Sequence, residues 1–110
     1  MRLPNPHLAI IDIRKLREYS LNPNHPRGAH KARVFASALG VTSEHIEFLR
    51  NEILQAAVNL DAVEVKRDRY GTHYVVDFEI RGPSKSATVR ACWLVPDLGQ
   101  IPKLTSCFVL

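Results

Sequence analysis

Two short segments bring together side chains that could handle an anion. In HPRGAHKA (25–32) a Pro/Gly loop runs straight into a helix start, so Arg27, His30 and Lys31 stand beside free backbone N–H groups and the positive end of a helix dipole. A cation lowers helix stability at that place, so Lys31 asks for a reason beyond folding; the alternative is a basic residue that merely faces water. In ATVRACWLV (87–95) Arg90 interrupts an apolar stretch. It either meets a ligand on an open sheet face or pairs with Asp77 or Glu79 of a neighbouring strand. Trp93 alternates with Val89, Ala91 and Val95, which makes it a core residue rather than a stacking platform.

Other chemistries lack their residues. There is no GxGxxG, P-loop or GxSxG, so neither a nucleotide cofactor nor a serine-hydrolase elbow is supported, and no cofactor is expected. The five histidines form no HxxxH or HxH pair, and Cys92 and Cys107 have neither zinc-ribbon nor CxxC spacing, so no metal is expected. Both cysteines read as reduced packing residues.

The elements that must carry these side chains follow from a change of period. After an extended lead-in (3–11), Asp12 caps a short helix over 12–20, and NPNHPRG (22–28) is a loop. Ala29–Leu39 reads as a helix with Ala32, Phe35, Ala36 and Leu39 on its apolar stripe and Gly40 as its stop. A third helix, 43–60, is capped by Thr42 or Ser43 and repeats Ile46, Leu49, Ile53, Leu54, Ala57 and Leu60 at helical period. In HYVVDFEI (73–80) the period becomes two, with VEVKRDR before it across a YGT turn, RGPSKS (81–86) as the next turn, then ATVRACWLV and KLTSCFVL. This order predicts an α+β domain spanning residues 1–110, with N-terminal helices packed on one face of a C-terminal four-stranded antiparallel sheet. The opposite face then carries His73, Asp77, Thr88, Arg90, Cys92, Thr105 and Cys107: a partly basic ligand platform or a solvated face.

A chain of 110 residues holds one core but not two, and 45% hydrophobic with 24% charged residues excludes a disordered or fibrous class. A formal net charge of +4 favours an anionic partner, whether RNA, DNA or an acidic protein. No stretch approaches the roughly 18 apolar residues of a membrane span, and the N-terminus lacks a signal-peptide h-region, so no membrane partner and a cytoplasmic location are expected.

The segments LPNPHLAIIDIRKLREYSLNPNHPRGAHKARVFASALG, YGTHYVVDF, TVRACWLV and IPKLTSCFVL resemble a bacterial domain family of unknown function, found as free-standing small proteins and at the C-terminal tips of polymorphic toxins. That family is similar to the barnase, EndoU, colicin and RelE nucleases, whose element order agrees with the one read above. The resemblance implies metal-independent RNA cleavage, in which the substrate 2′-hydroxyl attacks the adjacent phosphorus; such chemistry needs a proton acceptor, a proton donor and cations around the transition-state oxygens. Carried onto this sequence, it implies Lys31 and Arg90 as phosphate stabilisers, His30 as general base or acid with His73 as its rival, and Thr105 as an orienter. Arg27, His73, Asp77 and Ser106 would contact substrate. With no delivery region ahead of the domain, the expected setting is an intracellular toxin neutralised by an antitoxin or immunity protein. A non-catalytic basic module for RNA or an acidic protein, an inactive nuclease descendant, and a homodimer formed through an exposed sheet edge stay open.

Overall fold

A computed structural model describes residues 1–82 and 85–110. Prolines hold the first residues in an extended path broken by a 3₁₀ turn at Pro6–Leu8. Asp12 then accepts the Arg14 N–H at 3.0 Å and starts α1 (Ile13–Lys15), which continues as a wider π-helical turn, Leu16–Ser20. Its buried residues, Leu16 and Ser20, face inward together with Leu21. The expected second helix is α2 (Ala29–Leu39), ended by Gly40 at φ 68°, a left-handed conformation that costs glycine little. Ala32, Phe35 and Leu39 are buried as the pattern predicts, whereas Ala36 is exposed. Thr42 caps a 3₁₀ turn, Ser43–His45, that leads into α3 (Ile46–Asn59), so the third helix begins as two segments rather than one.

The strands are β1 (Val63–Asp68), β2 (Gly71–Arg81), β3 (Ser86–Val95) and β4 (Lys103–Val109), in the spatial order β1-β2-β3-β4 and antiparallel throughout. The RGPSKS turn has its centre, Pro83 and Ser84, outside the described residues; around it the Gly82 N–H meets the Lys85 carbonyl at 2.7 Å. Tyr74, Val76, Phe78 and Ile80 of β2, Val89, Ala91, Trp93 and Val95 of β3, and Leu104 and Cys107 of β4 form the buried face, against which the helices place Phe35, Leu39, Leu49 and Ile53. Burying a phenylalanine such as Phe35, fully enclosed, is worth about 3–5 kcal/mol against alanine.

One expectation about the last strand is corrected. Cys92 pairs with Ser106 but Trp93 pairs with Leu104, so Thr105 is an extra residue and β4 carries a bulge. Beyond it the alternation is shifted by one: Cys107 is fully buried among the core residues, and Ser106 and Phe108 take the open-face places opposite Cys92 and Arg90. Burial pushes the Cys107 thiol up to about 12.

The two edges of the sheet are treated differently. Ile10 bridges to Lys103 in parallel, its N–H donating to the Pro102 carbonyl at 2.8 Å and its carbonyl accepting from the Leu104 N–H at 3.0 Å, so the N-terminal segment straps the β4 edge. The Met1 carbonyl accepts the Ala62 N–H just before β1. Strand β1 itself is exposed along its whole length and pairs with β2 alone among the described residues.

Candidate anion-binding cleft at the last strand

The start of α2 sits against the π-helical turn because Gly28 allows it: a Cβ there would collide with the Tyr19 carbonyl. His25 secures the same junction. Its Nδ1 accepts the Arg27 and Gly28 N–H groups, each at 3.0 Å, and its ring meets Tyr19 edge to face with centroids 4.7 Å apart. With Nδ1 engaged as an acceptor, a neutral imidazole carries its proton on Nε2.

This junction sets the direction of Lys31. Its ammonium lies 5.4 Å from the centre of the Tyr19 ring and 5.1 Å from that of Phe108, a half-buried cation flanked by two aromatic faces. No carboxylate lies within ion-pair distance of it among the described residues. Phe108 is in turn the cross-strand partner of Arg90. The chain therefore places Arg90, far from Lys31 in sequence, at the register position opposite the residue whose ring Lys31 packs on.

Arg90 also resolves the choice left open by its position. Its Nε and Nη2 donate to the two carboxylate oxygens of Asp77 at 2.8 and 2.9 Å, whereas Glu79 pairs with Arg81. Its other N–H groups meet no acceptor among the described residues, and the guanidinium holds the Asp77 carboxyl below the usual carboxylate range. On the same face His73 is engaged by another acid: Asp68 Oδ2 lies 2.8 Å from its Nε2, while Asp68 Oδ1 accepts the Tyr70 N–H at 2.9 Å. That backbone bond is the main reason the Asp68 carboxyl is lowered, with the His73 contact adding to it.

Thr105 and Ser106 come together with residues that the sequence reading did not single out. They line a pocket of about 200 Å³ with Lys15, Tyr19 and Ser20, between the π-helical turn and β4. The bulge positions Thr105 so that its hydroxyl donates to the Cys92 carbonyl at 3.1 Å. His30 and Arg27 are exposed and their side chains make no hydrogen bond among the described residues; His30 is adjacent in the chain to Lys31 but does not share its packing. His73 and Asp77 belong to the open face of β2 and do not line the pocket. Tyr19, His25 and Phe108 were missed. A tyrosine on the polar side of a helix and an aromatic beside an unseen bulge give no periodic signal. Among the described residues no three His, Cys, Asp or Glu side chains converge as a metal site.

The arrangement is thus a strip, Arg90–Phe108–Lys31–Tyr19–His25, that alternates cations with rings and runs beside a pocket of hydroxyls. It suits a chain of phosphates carrying aromatic bases better than a small apolar ligand. The chain belongs to a family described as a domain of unknown function (DUF6883), whose pattern matches residues 2–110. No curated protein matches it in sequence. Among solved structures it is similar in fold to a chain of a contact-dependent growth inhibition toxin–immunity protein complex from Klebsiella pneumoniae 342. That likeness has a TM-score of 0.72 at 16% identity and covers 93% of this chain and 100% of the other.

Proposed function

We propose that this domain is an RNA-cleaving bacterial toxin, acting in the cytoplasm and held in check by an immunity protein or antitoxin. The likeness to a chain of a toxin–immunity complex supports the toxin and partner half of this reading. The observation that carries the RNA half is Lys31, a half-buried ammonium between two aromatic rings with no acid partner among the described residues. The rings attract the ammonium but carry no net charge, no carboxylate among the described residues neutralises it, and a phosphate would.

In this reading the RNA backbone lies along the strip. Lys31 and the free N–H groups of Arg90 take the non-bridging oxygens of the scissile phosphate, where charge grows as the 2′-hydroxyl attacks; Asp77 fixes the plane of the guanidinium. His25, whose Nδ1 is committed to backbone donors, is a poor proton acceptor. His30, with both nitrogens free among the described residues, is the proton-transfer group, and His73 oriented by Asp68 is the rival. Thr105, anchored on the Cys92 carbonyl, orients the substrate.

A second reading has its own support: no imidazole within the strip is paired with an orienting carboxylate, as a binding module without turnover would allow. One experiment separates the two. Wild type and the Lys31→Ala/Arg90→Ala double variant are induced in a bacterial host, and total RNA is examined within minutes. Fragments ending in cyclic phosphate, in the wild type alone, are the expected result. Intact RNA and unaffected growth with soluble protein would leave the binding module.

A further inference from the structure

We infer that the start of α2 is a pH-sensitive latch: neutral His25 seats the helix, and its protonation releases the helix start and with it the place of Lys31. His45, at the turn that opens α3, works in the same sense on a smaller scale. The inference concerns the fold, and it stands or falls independently of the nuclease reading.

The N-cap of α2 is Gly28, which has no side chain to take the unpaired N–H groups of a helix start. His25 takes them instead. Its Nδ1 accepts the Arg27 and Gly28 N–H groups at 3.0 Å each, and its carbonyl accepts the Ala29 N–H at 2.9 Å. Ahead of α3, Thr42 and His45 form a capping box whose last place, ordinarily a Glu or Gln, is an imidazole; Nδ1 of His45 accepts the Thr42 N–H at 3.0 Å. An imidazole accepts through Nδ1 only while that nitrogen is unprotonated, because the imidazolium is a donor at both nitrogens. Acid therefore sets N–H against N–H at two helix starts, and the added charge falls at the positive end of each helix dipole.

The surroundings of half-buried His25 do little to offset that charge. The cleft it lines also holds Asp12, Arg14, Lys15, Glu18 and Tyr19, and Asp12 is taken by Arg14 at 3.0 Å. Glu18 is thus set against Lys15, with Arg27 following in the loop, His30 on the first turn of α2 and Lys31 across the Tyr19 ring. His45 is exposed, next to Glu44, and shares a cavity with Arg81 of β2. The Thr42 hydroxyl, 3.2 Å from its Nδ1, can accept from the protonated ring, so the smaller effect belongs there. The released helix start takes a proton that the seated one excludes. The seat is therefore secure above the ordinary imidazole value of about 6.5 and weakens as pH falls below it. The sheet answers acid later, because the Asp68 and Asp77 carboxyls that hold His73 and Arg90 are kept below the usual carboxylate range.

The test is amide hydrogen exchange on the whole chain at about one pH unit above and one below the imidazole value, each rate divided by the intrinsic rate at that pH. In the wild type, protection over residues 22–32 should fall by about tenfold in acid, the effect of one excluded proton over that interval. The fall over residues 42–48 should be smaller, and β2 and β3 should keep their protection. Asparagine accepts a backbone N–H and does not titrate, so His25→Asn should hold 22–32 in acid while 42–48 still loosens, and His45→Asn should do the reverse. Thermal melting at neutral pH checks that both variants fold. Should either melt early, NMR of the wild-type imidazole nitrogens decides: proton uptake that coincides with the loss of protection supports the latch, and uptake with protection retained refutes it. Equal wild-type protection at the two pH values would overturn the inference. So would a loss shared by β2 and β3, or one that persists unchanged in the folded asparagine variants.

Discussion

The open face of the sheet and the margin of β4 are both rich in cations, but they spend them differently. On the open face Arg90 forks onto Asp77, His73 and Lys66 meet Asp68, and Arg81 meets Glu79. At the margin Lys15 and Lys31 meet no acid among the described residues, and their company is hydroxyls and aromatic rings. The formal charge of +4 is therefore unevenly expressed. A paired guanidinium is oriented and largely neutralised, whereas an unpaired ammonium against rings is an unmet demand for an anion. Net charge counts the cations; only their partners tell which remain available.

The sharpest way to break this contrast is to remove one cation from each region. Lys31→Ala should lower RNA cleavage by about 100-fold or more, the usual loss for one group facing developing charge, with melting temperature little changed. Arg90→Ala should lose less, because Asp77 already competes for its donors; initial rates on a labelled RNA would rank the two. An equal or larger loss at Arg90 would reverse the assignment of the free charge. Next in size is the junction that aims Lys31. Gly28→Ala forces a Cβ into the Tyr19 carbonyl and should cost about 1–3 kcal/mol of stability in a denaturant titration, with cleavage falling alongside. His25→Ala removes the acceptor for two N–H groups and should cost about 1 kcal/mol, while His25→Asn, which can still accept them, should restore most of it. The smallest effect belongs to the paired face. Asp77→Asn should change neutral-pH stability by less than about 1 kcal/mol, as partly exposed pairs do. Its signature is in acid. The Asp77 carboxyl titrates lower in the folded than in the unfolded chain, so its contribution is present above the unfolded value of about 3.9 and is lost as pH falls through the folded one. The asparagine variant should accordingly show a shallower loss of stability below that pH.

The fold was legible because hydrophobic period is a local property. The change from a helical repeat up to Leu60 to strict alternation from His73 gave three helices and four strands in their observed order. Part of the candidate cleft was visible from local context too: Lys31 at the helix start and Arg90 within a strand are anomalies along the chain. What escaped depends on tertiary events. One extra residue at Thr105 exchanged the faces of Cys107 and Phe108, and no periodicity announces a bulge. The widening of the first helix into a π turn at Leu16–Ser20, and its seat against β4, placed Tyr19 and Ser20 in the cleft. Arg90 was read as either ligand contact or structural pair, and the structure shows the pair, with Asp77; which of the two neighbouring acids it takes depends on the strand register.

The strap along β4 has a consequence in time. Ile10 bonds to Pro102 and Leu104, so this segment finds its place only when a strand that follows all the helices is available. At about 5–20 residues per second, synthesis leaves several seconds in which the helices exist without the strand that completes them. Thr105, Ser106 and Phe108 all ride on that strand. A growing chain, or one ended before this strand, has no cleft at all, and the place where Lys31 packs exists only once Phe108 has been made.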